Sequence, residues 1–245
     1  MKHVDDDRYR CLVVQPIAEA GIAYLKQNDL AVYEATSSDM KTVSREIADK
    51  HAVITRDAGL SREAIEAAPD LRVIGNHGIG LDPVDVDYAT AQDIPVVNTP
   101  GANAVAVAEH TISLMLALYH QLIPADSATR EGNFEFRYHS NCVELSRKNV
   151  GIVGYGTIGK QTATMLHWGF NANILVYRRT EENRQLEQQG FTVCTSLTDL
   201  IRRSDVVSIH LPLTDETRGL ISEEALDCFK PDSILINTSR GPIVD

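Results

Sequence analysis

The stretch 148–159, KNVGIVGYGTIG, constrains this chain more than any other. Residues 149–153 are apolar, partly β-branched and stop at a glycine, which predicts a short buried strand. Gly154, Gly156 and Gly159 follow in G-x-G-x-x-G spacing, with Tyr155, Thr157 and Ile158 between them. In that pattern the first glycine permits a tight turn and the second lets backbone approach a pyrophosphate. The third lets the next helix pack closely on the strand. The spacing predicts a helix over 157–167, stopping near Gly169. Its N-terminus offers unpaired N–H groups and partial positive charge to phosphate. Glycines also mark ordinary turns. Here a strand before, a helix after and a second strand at 173–177 supply the context that dinucleotide binding needs.

The 245 residues suffice for one large or two ordinary domains, and 43% hydrophobic content supports a sizeable core. A net charge of −11 argues against nucleic acid or an anionic membrane as partner. Cys11, Cys142, Cys194 and Cys228 are scattered without a C-x-x-C pair, which reads as reduced thiols in a cytoplasmic protein. The polar, acidic start MKHVDDDRYR is not a signal peptide. The apolar run 104–119 is short for a bilayer and carries Glu109 and His110, so it reads as a buried helix between two domains.

Strands are predicted at 10–15, 31–35, 52–55, 71–75 and 94–98 in the first half. Helices are predicted at 17–27 and 40–50, with Ser61 capping one that ends before Pro69 and Asp82-Pro83 opening another. In the second half the strands fall at 149–153, 173–177, 191–193, 205–210 and 233–238. Helices fill 157–167, 182–189, 197–203 and 222–229. This alternation predicts an α/β protein with two doubly wound parallel sheets. Asn103 is expected to cap the long helix and Pro124 to break or restart it; 125–145 reads as a helix and a surface loop whose aromatics either pack or cover a subunit contact. Glu109 and His110 are either functional or a satisfied buried pair.

The end of the second strand of the second half selects the dinucleotide. An acidic residue there would bind the ribose hydroxyls of NAD. The chain instead reads Tyr177-Arg178-Arg179-Thr180, and two guanidiniums with a hydroxyl suit a 2′-phosphate, unless they form a solvated turn. NADP is therefore favoured, with NAD the alternative. Ligands of open parallel sheets sit beyond the carboxyl ends of the strands. There Arg240 can hold a carboxylate and polarise a carbonyl, or serve as an ordinary ion-pair residue. His210 is the acid–base candidate, or a structural histidine.

The blocks HGIGLDPVDVDYA, NTPGANAVAVAEH, VGIVGYGTIGK, VSIHLPLTDETRGLI and LINTSRGPIVD, in this order, resemble the D-isomer-specific 2-hydroxyacid dehydrogenases, which include phosphoglycerate dehydrogenases and glyoxylate or hydroxypyruvate reductases. The resemblance spans nearly the whole chain. It implies a flavodoxin-like substrate domain over 1–101, an incomplete Rossmann domain over 102–245, and a homodimer. It also implies hydride transfer between a nicotinamide and a short 2-oxo or 2-hydroxy acid. Arg240 falls on the family's catalytic arginine, and Ile79 and Gly80 on the loop whose N–H groups meet the substrate carboxylate. Arg56 lies on the substrate side, as in phosphoglycerate dehydrogenases. The glycine loop, His210, Leu211, Pro212, Thr217, Thr238 and Ser239 fall on segments that line the cofactor.

The sequence departs from the family at Arg178, where NAD users carry Asp, and at Asn76, where phosphoglycerate dehydrogenases carry Arg. The family's Glu–His pair lies downstream of the Arg240 motif, which leads to the expectation of a truncated chain that binds cofactor without turnover. His210 is not where the family keeps its catalytic histidine. A corepressor-like nucleotide sensor and an inactive cofactor-binding fragment are the other readings.

Overall fold

Short β-branched runs become strands, and each returns through a helix to lie parallel to its neighbour. A computed structural model describes residues 8–179 and 184–245. The chain divides into two units, Met1–Ala102 and Asn103–Asp245. The first runs β1 (Tyr9–Val13), α1 (Glu19–Gln27), β2 (Leu30–Glu34), α2 (Met40–Glu46), β3 (Ala52–Thr55), α3 (Arg62–Glu66), β4 (Val73–Asn76), α4 (Val86–Ala91) and β5 (Val96–Val97). Its five strands are parallel in the order β2-β1-β3-β4-β5, the flavodoxin-like order. Val43, Ile47, Ala64, Ile65 and Ala89 from α2, α3, α4 and their ends form a core with Leu12, Val53 and Ile74 of the strands. Ser61 caps α3, accepting from the Ala64 N–H. The helix expected to start at Asp82-Pro83 instead starts at Val86, capped by Asp85, which accepts from the Tyr88 N–H at 2.9 Å. Segment 81–85 forms a turn, with the Val84 N–H donating to Leu81 O at 2.9 Å, and stays out of the helix because Val84 forms a bridge with Leu60 and the Asp85 N–H donates to Leu60 O at 3.0 Å.

The second unit runs α5 (Ala104–Tyr119), α6 (Leu122–Arg130), α7 (Phe136–His139), β6 (Asn149–Val153), α8 (Thr157–Phe170), β7 (Asn173–Tyr177), α9 (Arg184–Gln188), β8 (Thr192–Val193), α10 (Leu197–Arg203), β9 (Val206–Ile209), α11 (Glu223–Leu226) and β10 (Ile234–Asn237). Its strands are parallel in the order β10-β9-β6-β7-β8, so the unit's first strand lies in the middle. Ile112, Met115 and Tyr119 of α5 pack with Ala163 and Leu166 of α8 over one face of this sheet. Leu200 and Ile201 of α10 and Ile221 pack over the other.

Several local readings are corrected. The helix α5 buries one face only, through Ala104, Ala108, Thr111, Ile112, Met115 and Tyr119. Leu118 is 55% exposed, Glu109 and His110 are exposed rather than a buried pair, and Asn103 makes no side-chain cap. Of the two readings of Pro124 the structure takes the restart: it lies inside the first turn of α6, where its missing N–H costs no helical bond. The break falls earlier, at Gln121, whose φ is +49°. Likewise α8 runs through Gly169 and stops at Asn171, which takes the left-handed conformation at φ +55° and donates its N–H to His167 O.

Among the described residues no strand pairs with the outer edge of β10. Its Ile234 N–H donates to Asp205 O, on the β9 side. By the two-residue period Ile236 points the same way, while Leu235 and Asn237 point their amides outward. In amide hydrogen exchange Leu235 should therefore exchange far faster than Ile236, and the bare edge should promote association at high concentration. Equal strong protection of both amides in a clean monomer would contradict this.

Candidate functional site

The carboxyl ends of β6, β7, β9 and β10 are tied into one edge by the main chain. The Gly154 N–H donates to Tyr177 O at 3.0 Å and the His210 N–H donates to Val153 O at 2.8 Å. The Ser239 hydroxyl donates to Ile209 O at 2.7 Å. Each glycine of the loop meets a different demand. Gly154 has φ +95°, and a Cβ there would lie 2.6 Å from His210 O. A Cβ on Gly159 would lie 2.1 Å from Gly154 O. A Cβ on Gly156 would meet nothing within 4 Å, so open space lies in front of it. Gly156 is also the N-cap of α8 and offers no capping side chain, so the first N–H groups, at Thr157 and Ile158, lack a side-chain acceptor. An open, uncapped helix start behind a glycine is a fit for a pyrophosphate.

Tyr155 packs edge-on to Phe191, with ring centroids 6.3 Å apart. Burial pushes its phenol above the ordinary range, and the charge of Arg178 acts in the opposite direction. Arg178 is half-buried and thus within electrostatic reach of the glycine loop, while Arg179 is exposed. Glu216 is held below the usual carboxylate range, chiefly by the Thr214 hydroxyl at 2.7 Å and also by Arg179. Thr180 lies outside the described residues.

His210 follows β9 beneath the glycine turn, its Nε2 2.9 Å from the Ser208 hydroxyl. Burial pushes its pKa down to about 4. The imidazole is therefore neutral near pH 7 and has no proton to give as a general acid. Leu211 and Pro212 continue into a loop that Thr217 fastens: its hydroxyl donates to Pro212 O at 2.6 Å and accepts from the Thr214 N–H at 2.8 Å.

After β10 comes a turn braced by its own side chains. Asn237 Nδ2 donates to Arg240 O at 2.9 Å, and Asn237 Oδ1 accepts from the Ser239 N–H at 3.0 Å. Arg240 is partly buried and donates from Nη1 to Ser239 O at 2.9 Å. Thr238 approaches α5, where its Oγ1 lies 3.0 Å from that of Thr111. Asn237, Thr238 and Ser239 form one wall of an open cavity of about 500 Å³; Ala106, Val107, His110 and Leu114 of α5 form the other. The sequence reading missed this helical wall apart from His110. Its signal is the spacing of 107, 110 and 114, one helical stripe.

Arg56, Ile79 and Gly80 belong to the first unit, at the carboxyl edge of its own sheet. Arg56 donates from Nη1 to Pro16 O at 2.8 Å. The loop after β4 is braced by asparagines: Asn98 Nδ2 donates to Ile79 O at 2.8 Å and Asn76 Nδ2 to Gly80 O at 2.7 Å. The Asn76 side chain is buried, and its Oδ1 has no hydrogen-bond partner among the described residues.

Residues 112–245 match the family described as D-isomer specific 2-hydroxyacid dehydrogenase, NAD binding domain. A D-3-phosphoglycerate dehydrogenase of Archaeoglobus fulgidus is 35% identical over 237 residues, covering 96% of this chain and 44% of its own length. A glyoxylate reductase of Thermofilum pendens is 37% identical over 248 residues, covering 97% of this chain and 72% of its own. This chain thus spans less than half of the first relative. The crystal structure of D-lactate dehydrogenase from Aquifex aeolicus, complexed with NAD and lactic acid, superposes with a TM-score of 0.85 at 29% identity, over 96% of this chain and 70% of that one. With both sheet orders and the glycine loop in agreement, the chain belongs to the D-isomer-specific 2-hydroxyacid dehydrogenase family.

Proposed function

We propose that the protein is an NAD(P)-dependent oxidoreductase that moves a hydride between a nicotinamide and a short 2-oxo or 2-hydroxy acid. The observation that carries this reading is the open, uncapped start of α8 at Gly156, on the same sheet edge as the Arg240 turn and the cavity walled by Asn237, Thr238 and Ser239. In this reading Gly154, Tyr155, Gly156, Thr157, Ile158 and Gly159 hold the pyrophosphate, and Arg178 and Arg179 the adenosine end. His210, Leu211, Pro212, Thr217, Thr238 and Ser239 shape the remaining wall. The cofactor, when bound, supplies or takes the hydride. Arg240 binds the substrate carboxylate and stabilises charge on the carbonyl oxygen. It keeps its own proton at any working pH, so it polarises and does not protonate. In the first unit, Ile79, Gly80 and Arg56 are the substrate-binding candidates that the family resemblance supports.

Asn76 favours an unphosphorylated substrate, because a buried neutral amide braces the loop where a phosphate would call for a cation. A homodimer is supported by Phe134 and Tyr138, which lie exposed at 73% and 69% instead of packing as a closed loop. A reducing cytoplasm suits the free thiols, of which Cys11 and Cys194 are pushed up to about 11 by burial.

NADPH is the preferred reductant in this reading. A charge-assisted hydrogen bond contributes about 1.5–3 kcal/mol. Changing Arg178 to Asp should therefore weaken NADPH by about tenfold or more, while NADH binding holds or tightens because the carboxylate accepts from the ribose hydroxyls. Fluorescence titration with both cofactors checks this, and equal dissociation constants in the unaltered chain would count against it. Following NADPH oxidation with glyoxylate, hydroxypyruvate and phosphohydroxypyruvate then tests the activity. Cofactor binding with no turnover of any 2-oxo acid by the longest form of the protein would favour the nucleotide-sensing reading.

A further inference from the structure

We propose that Thr111 is a positioning residue: through Thr238 it sets which hydrogen-bonding partner the cavity can accept, and makes that partner the N–H of a nicotinamide carboxamide. The inference rests on the dinucleotide reading of this site. Thr111 is fully buried in α5, and its hydroxyl donates to Val107 O at 2.8 Å. A hydroxyl has one proton. With that proton committed to Val107, the 3.0 Å contact between Thr111 Oγ1 and Thr238 Oγ1 is made by the proton of Thr238. The chain of donors runs from Thr238 to Thr111 to the Val107 carbonyl. Thr238 lines the cavity, and what its oxygen retains there is lone pairs.

The flanking side chains leave little else. Asn237 is committed at both ends, to Arg240 O and the Ser239 N–H. The Ser239 proton goes to Ile209 O. A free threonine hydroxyl would rotate to donate or accept. This one is held as an acceptor. The back-bond of Thr111 to the preceding turn is ordinary, since Thr162 of α8, equally buried, donates to Ile158 O in the same way. The partner on a strand end 127 positions away is what separates Thr111 from Thr162.

Calorimetry with three ligands tests this: the tighter-binding nicotinamide dinucleotide, its 3-acetylpyridine analogue, and the matching ADP-ribose. The analogue keeps the ring carbonyl and lacks the amide N–H. The unaltered chain should prefer the carboxamide by about tenfold. Thr111→Val should shrink that preference to about twofold or less, because Thr238 then rotates and donates to either carbonyl, while ADP-ribose affinity stays unchanged. Thr238→Val, which removes the acceptor itself, should likewise shrink the preference. Thr111→Ser and Thr162→Val should keep the preference. The proposal is overturned if Thr111→Val keeps the preference, or if it weakens ADP-ribose in parallel, which marks a purely structural role. Absence of ADP-ribose binding to the unaltered chain would instead overturn the dinucleotide reading, and this inference with it.

Discussion

Gly159→Ala is expected to unfold the glycine turn, costing about 3 kcal/mol and roughly 10 °C in Tm. The added methyl would stand 2.1 Å from Gly154 O, a main-chain oxygen that cannot swing aside. To make room α8 must lift from the sheet, where Ala163 and Leu166 belong to the core. Nucleotide binding should vanish with it. Gly156→Ala is the control that separates packing from recognition. Its backbone is ordinary at φ −80°, and its methyl meets nothing within 4 Å, so the melting temperature should hold. The methyl would nonetheless fill the space assigned to the pyrophosphate, weakening the dinucleotide by about tenfold or more through lost N–H contacts. Paired melting curves and fluorescence titrations check both. A Gly159→Ala protein with unchanged Tm, or a Gly156→Ala protein with unchanged affinity, would refute the assigned roles.

The second large effect concerns pH. His210 ionises at about 4 in the folded chain, against 6.5 for an unperturbed imidazole. Well above pH 6.5 the ring is neutral whether the chain is folded or not, and it gives no slope. As pH falls from 6.5 the unfolded chain takes up a proton that the folded chain refuses, so stability declines until about pH 4 and then levels off. The window amounts to about 3 kcal/mol. His210→Gln, which keeps a hydrogen-bonding side chain near Ser208, should flatten this decline in urea melts between pH 4 and 6.5. The same variant should leave the pH profile of any turnover unchanged above pH 6.5, because the imidazole is not the acid. An unaltered stability slope would show that His210 is solvated.

The strands were legible where a β-branched run ended on a clear stop: Ala52–Thr55, Asn149–Val153 and Asn173–Tyr177 have their predicted bounds. Helix ends were harder, because competing signals stood side by side. Asp82 and Asp85 are both good caps, and the bridge between Leu60 and Val84 decides between them. Gly169 and Asn171 both suit a helix stop, and the chain uses the asparagine. The glycine loop and the Arg240 turn were readable because each is contiguous in sequence. The α5 wall was not, since a helix that is apolar on nearly every side hides which face is buried until its neighbours are known. Thr111 was the clue, a hydroxyl set in an apolar run.

The single-sided ladder of β10 reaches beyond its amides. The turn bearing Arg240 hangs directly from this strand, so in the proposed reading a local opening of the strand would also open the cofactor wall. Apparent affinity then equals intrinsic affinity scaled by the fraction of molecules with β10 docked. Anything that pairs with the free edge raises that fraction and tightens the dinucleotide from a distance. By reciprocity, dinucleotide tightens the pairing by the same factor.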